Sequence, residues 1–322
     1  MSSNFNQRFK FTEGSIIFLL ILLIAFLIVV PYIASYYIIS LMCTVFFYIA
    51  LVQGLNVLSG FAGYVNFGYA GWVGLGSYVT MILLNKSNIH WLPAFIFSGV
   101  FSMGVGIVVG YPLLKIKGIY FAIAAFTFAE GIRFLTSSEL LGPLTHGGEG
   151  VSVNNPGLSL NGQYYVALIV ALLAILVVYK ISTRKFGLRL LAIKGEELST
   201  ECLGINTTMN KIIAFAISSF FAGVVGGMMA VFTFFITPES AFSVEITLQA
   251  ILMLFLGGGG TVFGPVFAAI FMTLISELLW SKFIFLHTGI LGIVLVLVIL
   301  FLPEGIIPWL QDKKLLPLSR RL

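Results

Sequence analysis

Four charged residues stand within or at the edge of long apolar segments, and they are the first candidates for chemistry in this chain. They are Glu130, Arg133, Glu245 and Glu277. A charge at the centre of a membrane helix costs about 2.5–3.5 kcal/mol on insertion scales, so each of them is expected to face protein or water. Glu130 and Arg133 lie three residues apart on one helix face and are predicted to pair. A glutamate at the end of an apolar segment, such as Glu245, is more often interfacial.

Two glycine clusters are the second candidate. Gly54–Tyr78 reads GLNVLSGFAGYVNFGYAGWVGLGSY, and Gly257–Val266 reads GGGGTVFGPV. One interpretation is close helix packing through small residues. The other is broken helices, whose freed backbone groups line substrate sites in transporters. Under the second interpretation we predict a substrate path lined by polar and glycine positions: Gln53, Asn56, Asn66, Gly68, Tyr69, Glu130, Gly258 and Gly259.

Several kinds of site are missing from the sequence. No G-x-x-x-x-G-K-[ST] phosphate loop and no H-E-x-x-H motif occur, and His90, His146 and His287 do not cluster. Cys43 and Cys202 imply no disulfide framework. We therefore predict no catalytic residues, no metal and no cofactor, and any ATP hydrolysis is expected on another chain.

The elements that position these residues must lie in a membrane. The chain is 59% hydrophobic and only 9% charged, and no charged residue occurs from Gly14 to Asn85. A spanning helix needs about 20 apolar residues. We predict an all-α polytopic membrane protein that forms a single transmembrane domain over 1–322. About ten spans are expected: Ser15–Ile33, Ser35–Gln53, Asn66–Leu84, Leu92–Tyr111, Gly118–Thr136, Gln163–Tyr179, Ile212–Ile236, Val244–Gly259, Gly264–Trp280 and Ile284–Leu302.

The distribution of positive charge predicts the orientation. With both termini inside, all but three of the 17 lysines and arginines fall on the cytoplasmic side, the exceptions being Lys86, Arg133 and Lys282. This distribution, rather than nucleic-acid binding, explains the net charge of +5. It also favours a full crossing by Val244–Gly259 over a re-entrant loop. The apolar run Ser15–Val30 is better explained as an anchoring helix than as a signal peptide.

Two loops are long. The loop at 137–162 is expected outside, and the loop at 182–210 inside. The inner loop is predicted to be partly helical between Leu188 and Leu203, and Gly204 is predicted to end this helical stretch as a left-handed cap residue. Its apolar residues among charges could offer a face to a partner protein.

Five segments together resemble the permease subunits of branched-chain amino acid ABC importers, specifically the M-type subunit. The resemblance covers nearly the whole chain after the first span. The segments are Gly54–Leu84, Lys117–Thr136, Phe186–Ala230, Thr237–Ala269 and the terminal LPEGI at Leu302–Ile306. Their order and spacing carry the resemblance, since no one motif decides it.

The resemblance implies a heteromeric importer with a second permease subunit, two cytoplasmic ATP-binding subunits and an extracytoplasmic substrate-binding protein. In such permeases a loop resembling E-A-A-x-x-x-G docks onto the ATPase. Here Leu198–Gly204 keeps the glycine, but Leu198 replaces the leading glutamate, and Glu197 precedes it. Tyr69 stands where relatives commonly have histidine. The implied coupling residues are Arg189, Glu197, Ser199, Thr200, Glu201 and Gly204.

The predicted function is therefore import of branched-chain or related small amino acids across the cytoplasmic membrane, with lipid around the chain and no nucleic acid bound. A urea or short-amide ABC importer is the closest alternative, since its permeases look similar. An ion-coupled secondary transporter is a further alternative, which would need carboxylates placed for ion coupling. A membrane enzyme is the last alternative, but it would need a set of catalytic residues, and the sequence shows none.

Overall fold

A computed structural model describes residues 22, 25–87, 89–153, 157–282, 289, 292, 293, 296 and 305, without the side chains of 279–282. The described chain is almost entirely helical. Residues 25–33 are helical. Ten further helices follow, labelled α1 to α10 in chain order: α1 Tyr36–Leu55, α2 Tyr69–Ser87, α3 Trp91–Leu113, α4 Gly118–Ser137, α5 Leu160–Thr183, α6 Lys185–Gly195, α7 Glu197–Cys202, α8 Thr207–Thr233, α9 Val244–Gly257 and α10 Phe263–Lys282.

Short elements complete the described chain. A π-helix at Asn56–Phe61 continues α1, and one-turn helices lie at Gly142–Thr145 and Pro238–Ala241. A 3₁₀ turn occupies Gly147–Glu149. Two short strands, β1 Val151–Ser152 and β2 Phe235–Ile236, form an antiparallel pair.

The prediction of an all-α polytopic membrane protein is confirmed. Six helical segments in the described part are long and apolar enough to cross a membrane: Tyr36–Phe61, Trp91–Leu113, Gly118–Ser137, Leu160–Thr183, Thr207–Thr233 and Pro238–Gly257. Helices also occupy the predicted spans at Asn66–Leu84 and Gly264–Trp280, as α2 and α10. The predicted spans Ser15–Ile33 and Ile284–Leu302 lie largely outside the described residues, so a count of ten stays a prediction.

Helix α8 lies at the centre of the bundle and packs against α2 and α3. Small residues allow this close approach, and hydroxyl groups bridge the helices. The Ser77 hydroxyl of α2 donates to the carbonyl of Gly226 at 2.9 Å, and the Ser98 hydroxyl of α3 donates to that of Gly223 at 3.2 Å. Helix α5 packs on α1, and α10 packs on α9 and α1.

The bundle has two distinct ends. At one end, here called the strand end, β1 pairs with β2 (Val151 opposite Ile236) and Phe242 stacks on Tyr78. At the other, here called the basic end, residues from 62–68, 114–117, 184–211 and 258–262 meet. The loops that the distribution of positive charge predicts to be cytoplasmic therefore lie together at the basic end.

Helix α9 runs from one end to the other. The turn just before it, Ala241 and Phe242, packs with Val151 and Ile236 at the strand end. Just beyond its other end, Gly260 is held by a side chain of the π-helix near the basic end. The two ends of this segment therefore lie at different ends of the bundle, and a full crossing of the membrane stays a prediction.

Candidate coupling and translocation site

The predicted coupling loop folds into two short helices, α6 and α7, followed by a turn. The turn is a Schellman motif: the amide of Gly204 donates to the carbonyl of Glu201 at 2.9 Å, and the amide of Ile205 donates to that of Thr200 at 3.4 Å. Gly204 has φ +78°, the left-handed conformation predicted for it. Because L side chains avoid this conformation, glycine at 204 sets the path of the chain into α8.

An exposed apolar surface surrounds this turn. Leu198, Leu203 and Met209 are 63%, 78% and 57% exposed, and Arg189 and Ser199 are exposed beside them. The other predicted coupling residues point inward or pair locally. Thr200 is buried and its hydroxyl donates to the carbonyl of Glu196, while Glu201 accepts from the hydroxyl of Thr207.

Glu197 is the centre of a charged network under that surface. One carboxylate oxygen lies 2.6 Å from the Lys211 ammonium; the other accepts from the Tyr64 hydroxyl at 2.8 Å and lies 3.2 Å from Lys117. Lys211 is only 3% exposed and also donates to the carbonyl of Leu114 at 3.0 Å. Burial alone would raise the pKa of the Glu197 carboxyl, but the hydrogen bonds from Lys211, Tyr64 and Lys117 outweigh it and lower that pKa.

The same network reaches the first glycine cluster. Tyr64 lies within that cluster, between the π-helix and α2. From α6, the Lys194 ammonium donates to the carbonyl of Gly60 at 2.9 Å. Two contacts therefore tie the loop helices to the π-helix and to the segment that follows it.

The two glycine clusters contact each other, a pairing that the sequence did not reveal. The amide of Asn56 donates to the carbonyl of Thr261 at 2.7 Å, and its oxygen accepts from the amide of Gly260 at 2.9 Å. The amide of Gln53 donates to the carbonyl of Val262 at 2.6 Å. Both side chains are fully buried. They hold backbone groups of the turn between α9 and α10.

The remaining predicted path residues lie nearby, with clear local roles. The side-chain oxygen of Asn66 accepts from the amide of Gly68 at 3.0 Å. The Tyr69 hydroxyl donates toward the carbonyls of Leu51 and Ser218 in a fully buried position. A Cβ at Gly68 would lie 2.0 Å from the carbonyl oxygen of Ala125 in α4, so this glycine allows close packing. Whether any of these residues contacts substrate stays a prediction.

Glu130 and Arg133 form the predicted ion pair at 2.7 Å, partly exposed on α4. Gly258 and Gly259 lie in the turn that follows α9. The structure thus brings Gln53, Asn56, Gly258 and Gly259 to one junction, with Asn66, Gly68 and Tyr69 just beyond it. Glu130 pairs within its own helix instead.

Comparison with known proteins identifies the transporter family to which the chain belongs. Residues 37–300 match the family described as branched-chain amino acid transport system / permease component. The chain belongs to this family. A transport subunit in a multisubunit membrane transporter is therefore confirmed, as the five resembling segments indicated.

Two curated relatives match this permease over most of their length. Both are named high-affinity branched-chain amino acid transport system permease protein LivM, one from Salmonella typhimurium and one from Escherichia coli K12. Each is 26% identical, over 92% of this chain and 76% of the relative. No solved structure matches the chain.

Three residues of this permease's basic end were not predicted from sequence: Tyr64, Lys194 and Lys211. Lys211 was counted only as a loop charge, since it precedes an apolar run at Ile212. One signal was available. Lys211 comes directly before the apolar run at Ile212, so it must lie in the first turns of a spanning helix, where an uncompensated charge is costly.

Proposed function

We propose that this permease moves branched-chain or related small amino acids inward across the cytoplasmic membrane, using ATP hydrolysed on two partner subunits. A second permease chain completes the pathway, and an extracytoplasmic protein delivers the substrate. Family membership and the printed names of the LivM relatives support the substrate class. In the proposed orientation the basic end is cytoplasmic, as the positive-inside bias requires.

One observation carries the coupling part of this proposal: the Glu197 network connects the exposed loop surface to the glycine junction. The apolar residues Leu198 and Leu203 face outward for a partner, while Glu197 on the same helix is bonded to Tyr64 and Lys211 inside. A displacement of α7 by a docked ATPase would therefore be transmitted to the residues next to the π-helix.

The transport step itself would be alternating access. Nucleotide binding on the partner would favour one of two conformations of the bundle through α6 and α7. The glycine junction suits such a change because its backbone groups are held by two amide side chains and not by a continuous helix.

The substrate is tested in proteoliposomes that hold the complete importer. We expect ATP-dependent uptake of labelled leucine, isoleucine and valine, and no uptake by a complex whose ATPase subunits cannot hydrolyse ATP. Uptake of urea with no uptake of amino acids would replace the substrate class. Uptake driven by an ion gradient without the ATPase would contradict the proposal as a whole.

The coupling surface is tested with leucines of matched exposure. Leu203→Asp should abolish ATPase docking, so that substrate-stimulated hydrolysis and uptake fall together. Leu140→Asp is the control, because Leu140 is 79% exposed but follows α4 toward the strand end. Equal hydrolysis in the two variants would show that α7 does not receive the ATPase.

The turn at Gly204 is tested with matched glycines. Gly204→Ala and Gly195→Ala each add one methyl group where nothing lies within 4 Å, and only Gly204 has positive φ. Strain of about 1 kcal/mol is expected at 204 alone. Stimulated hydrolysis should therefore fall in Gly204→Ala and stay normal in Gly195→Ala. The same result for both would mean that the turn geometry does not matter.

A further inference from the structure

A row of exposed apolar side chains runs along one face of α5. Ile169, Leu173 and Leu176 are exposed, and they recur at the three- and four-residue spacing that places side chains on one helix face. On a membrane-spanning helix such a face lies against the acyl chains of lipid. Tyr179 is also exposed near the end of this row, and tyrosines are enriched where a membrane meets water. Helix α5 therefore presents an apolar face to lipid and reaches the membrane boundary near Tyr179.

Three cations lie directly beyond this face. Lys180 comes four residues after Leu176 and continues the same row, while Arg184 and Lys185 form the connection from α5 into α6. All three residues are exposed. The apolar row therefore ends in a positively charged group, here called the α5–α6 basic cluster, which consists of Lys180, Arg184 and Lys185.

Backbone contacts hold the cluster in one arrangement. The amide of Arg184 donates to the carbonyl of Ile181 at 3.2 Å, and the amide of Gly187 donates to that of Arg184 at 3.1 Å. A Cβ at Gly187 would lie 2.2 Å from the carbonyl oxygen of Ile181, so glycine at this position lets α6 fold closely against the last turn of α5. The three cations are therefore kept near one another at the end of the lipid-facing row.

No acidic side chain balances the cluster in the part of the chain that the structure describes. The ion pairs there engage Lys117, Arg133 and Lys211, and none of them engages a member of the cluster. The sequence also contains no aspartate or glutamate from Gly150 to Gly195. The positive charge of the cluster is therefore suited to an anion from outside the chain.

The position of the cluster selects the class of anion. Basic residues just beyond the end of a spanning helix attract anionic lipid headgroups, with a gain in affinity of about fivefold for each cation. A phospholipid whose acyl chains lie beside Leu173 and Leu176 would place its phosphate next to Lys180 and Arg184. Guanidinium and ammonium groups both bind phosphate oxygens through charge-assisted hydrogen bonds. A headgroup that also carries an ammonium group would bring a repelling charge into the cluster, so the fit is to a headgroup with net negative charge.

We propose that the α5–α6 basic cluster binds the phosphate headgroup of an anionic phospholipid whose acyl chains lie along the exposed face of α5. The bound lipid holds the turn that leads into α6 and α7. The site shares no residue with the coupling surface around Leu198 and Leu203, and it does not depend on which substrate the permease transports.

The first experiment places a fluorescent probe beside the cluster, in the complete importer in lipid nanodiscs. The probe is attached at Thr183→Cys, in the last turn of α5, after Cys202→Ser and removal of the other exposed thiols of the complex. Phosphatidylglycerol that carries a quencher should quench this probe severalfold more than quencher-labelled phosphatidylcholine at the same mole fraction. A probe at Ile119→Cys is the control, because Ile119 is exposed in the first turn of α4 at the basic end but lies outside the cluster. Equal quenching by the two lipids at Thr183→Cys would overturn the proposal.

Substitutions then locate the headgroup. Lys180→Gln and Arg184→Gln should each lower the apparent affinity of quencher-labelled phosphatidylglycerol about fivefold, and Arg184→Lys should retain most of it. Lys115→Gln is the matched control, because it removes one positive charge from the same end of the bundle, where Lys115 lies 4.4 Å above the ring of Tyr111. If Lys115→Gln and Arg184→Gln had equal effects, only the net charge of this end would matter, and the site would be overturned.

Competition identifies the chemistry of the bound molecule. Unlabelled phosphatidylglycerol should relieve the quenching, and unlabelled phosphatidylcholine should not. Glycerol phosphate at millimolar concentration carries the phosphate without acyl chains and should also fail to relieve it. Relief by glycerol phosphate as complete as that by the lipid would assign the cluster to a soluble phosphate and would overturn the lipid site.

A contact of the cluster with the ATPase is the competing explanation, and subunit recovery tests it. The variant that combines Lys180→Gln, Arg184→Gln and Lys185→Gln should lose the preferential quenching by phosphatidylglycerol and keep its full complement of ATPase subunits. Loss of ATPase subunits with unchanged quenching would show that the cluster faces the ATPase, and the lipid site would be overturned. None of these measurements uses a transported substrate, so their outcome is independent of the proposed transport function.

Discussion

The two ends of the bundle are held together by different physical means. At the basic end, Glu197 and the 3%-exposed Lys211 form a buried pair that also engages Tyr64 and a backbone carbonyl. At the strand end, two short strands pair, and the exposed side chains of Asn85 and Lys86 donate to the carbonyls of Ser152 and Pro143. A buried charge pair is lost all at once when one partner moves, whereas exposed hydrogen bonds exchange readily with water.

From this difference we expect the basic end to switch between discrete arrangements and the strand end to adapt more gradually. Under the proposed function a partner subunit would push on the basic end, and a firm connection would then be needed to transmit that movement. The buried pair provides this connection between α7 and α8.

The largest expected loss of stability is at Lys211, and Lys117, which contacts the same Glu197 carboxylate, provides the comparison. Lys211→Met leaves Glu197 partly buried without its main partner and should lower the free energy of unfolding by about 3 kcal/mol. Lys117→Met removes a contact whose lysine is 55% exposed and should cost less than about 1 kcal/mol. Thermal unfolding of the purified complex measures both. Equal losses would mean that the pair is not buried in the assembled importer.

The pH dependence of the same network is the next test. The pKa of Glu197 is lowered in the folded protein, so its ionised form contributes stability that is complete above the unfolded value of 4.5 and is lost as the pH falls through the lower folded value. The difference in unfolding temperature between the wild type and Glu197→Gln should therefore be constant at neutral pH and shrink below 4.5. A difference that grew on acidification would contradict the lowered pKa.

A smaller effect is expected at the glycine junction. A Cβ at Gly60 would lie 1.9 Å from the side-chain oxygen of Asn56 and 2.6 Å from the amide of Gly260, so Gly60→Ala should destabilise by about 2 kcal/mol. Gly104→Ala, in α3, meets nothing within 4 Å and should be neutral or slightly stabilising. A loss of stability in Gly60→Ala without a loss in Gly104→Ala would confirm the junction in unfolding experiments, and two neutral variants would contradict it.

The smallest effect is expected at the strand end. Asn85→Ala removes an exposed 2.9 Å hydrogen bond to the carbonyl of Ser152 and should cost less than about 1 kcal/mol. Uptake should remain normal. A loss comparable to that of Lys211→Met would remove the contrast between the two ends.

Local pattern was enough to predict the helices and some of their contacts. The predicted span Gly118–Thr136 became α4 at Gly118–Ser137, because a long apolar run fixes a spanning helix almost by itself. The Glu130–Arg133 pair and the left-handed Gly204 also follow from spacing within a few residues.

Contacts between distant residues could not be predicted in the same way. Asn56 and Gly260 are separated by 204 positions, and nothing in either segment names the other. Lys211 resembled a loop charge because its partners, Tyr64 and Leu114, come from two other loops. Glu245 was expected to be merely interfacial, and only the packing of α9 against α1 and α10 shows that it lines a cavity with Glu277.

The junction of Gly60 with Gly260 has an evolutionary consequence. A side chain added at Gly60 meets a backbone amide of the other segment, and a backbone atom cannot be replaced by mutation. A second substitution at 260 therefore offers no compensation, unlike in an ordinary pair of touching side chains. We expect position 60 to stay glycine as sequences in the family diverge, and to change only in lineages where the turn after α9 has itself been rebuilt by insertion or deletion.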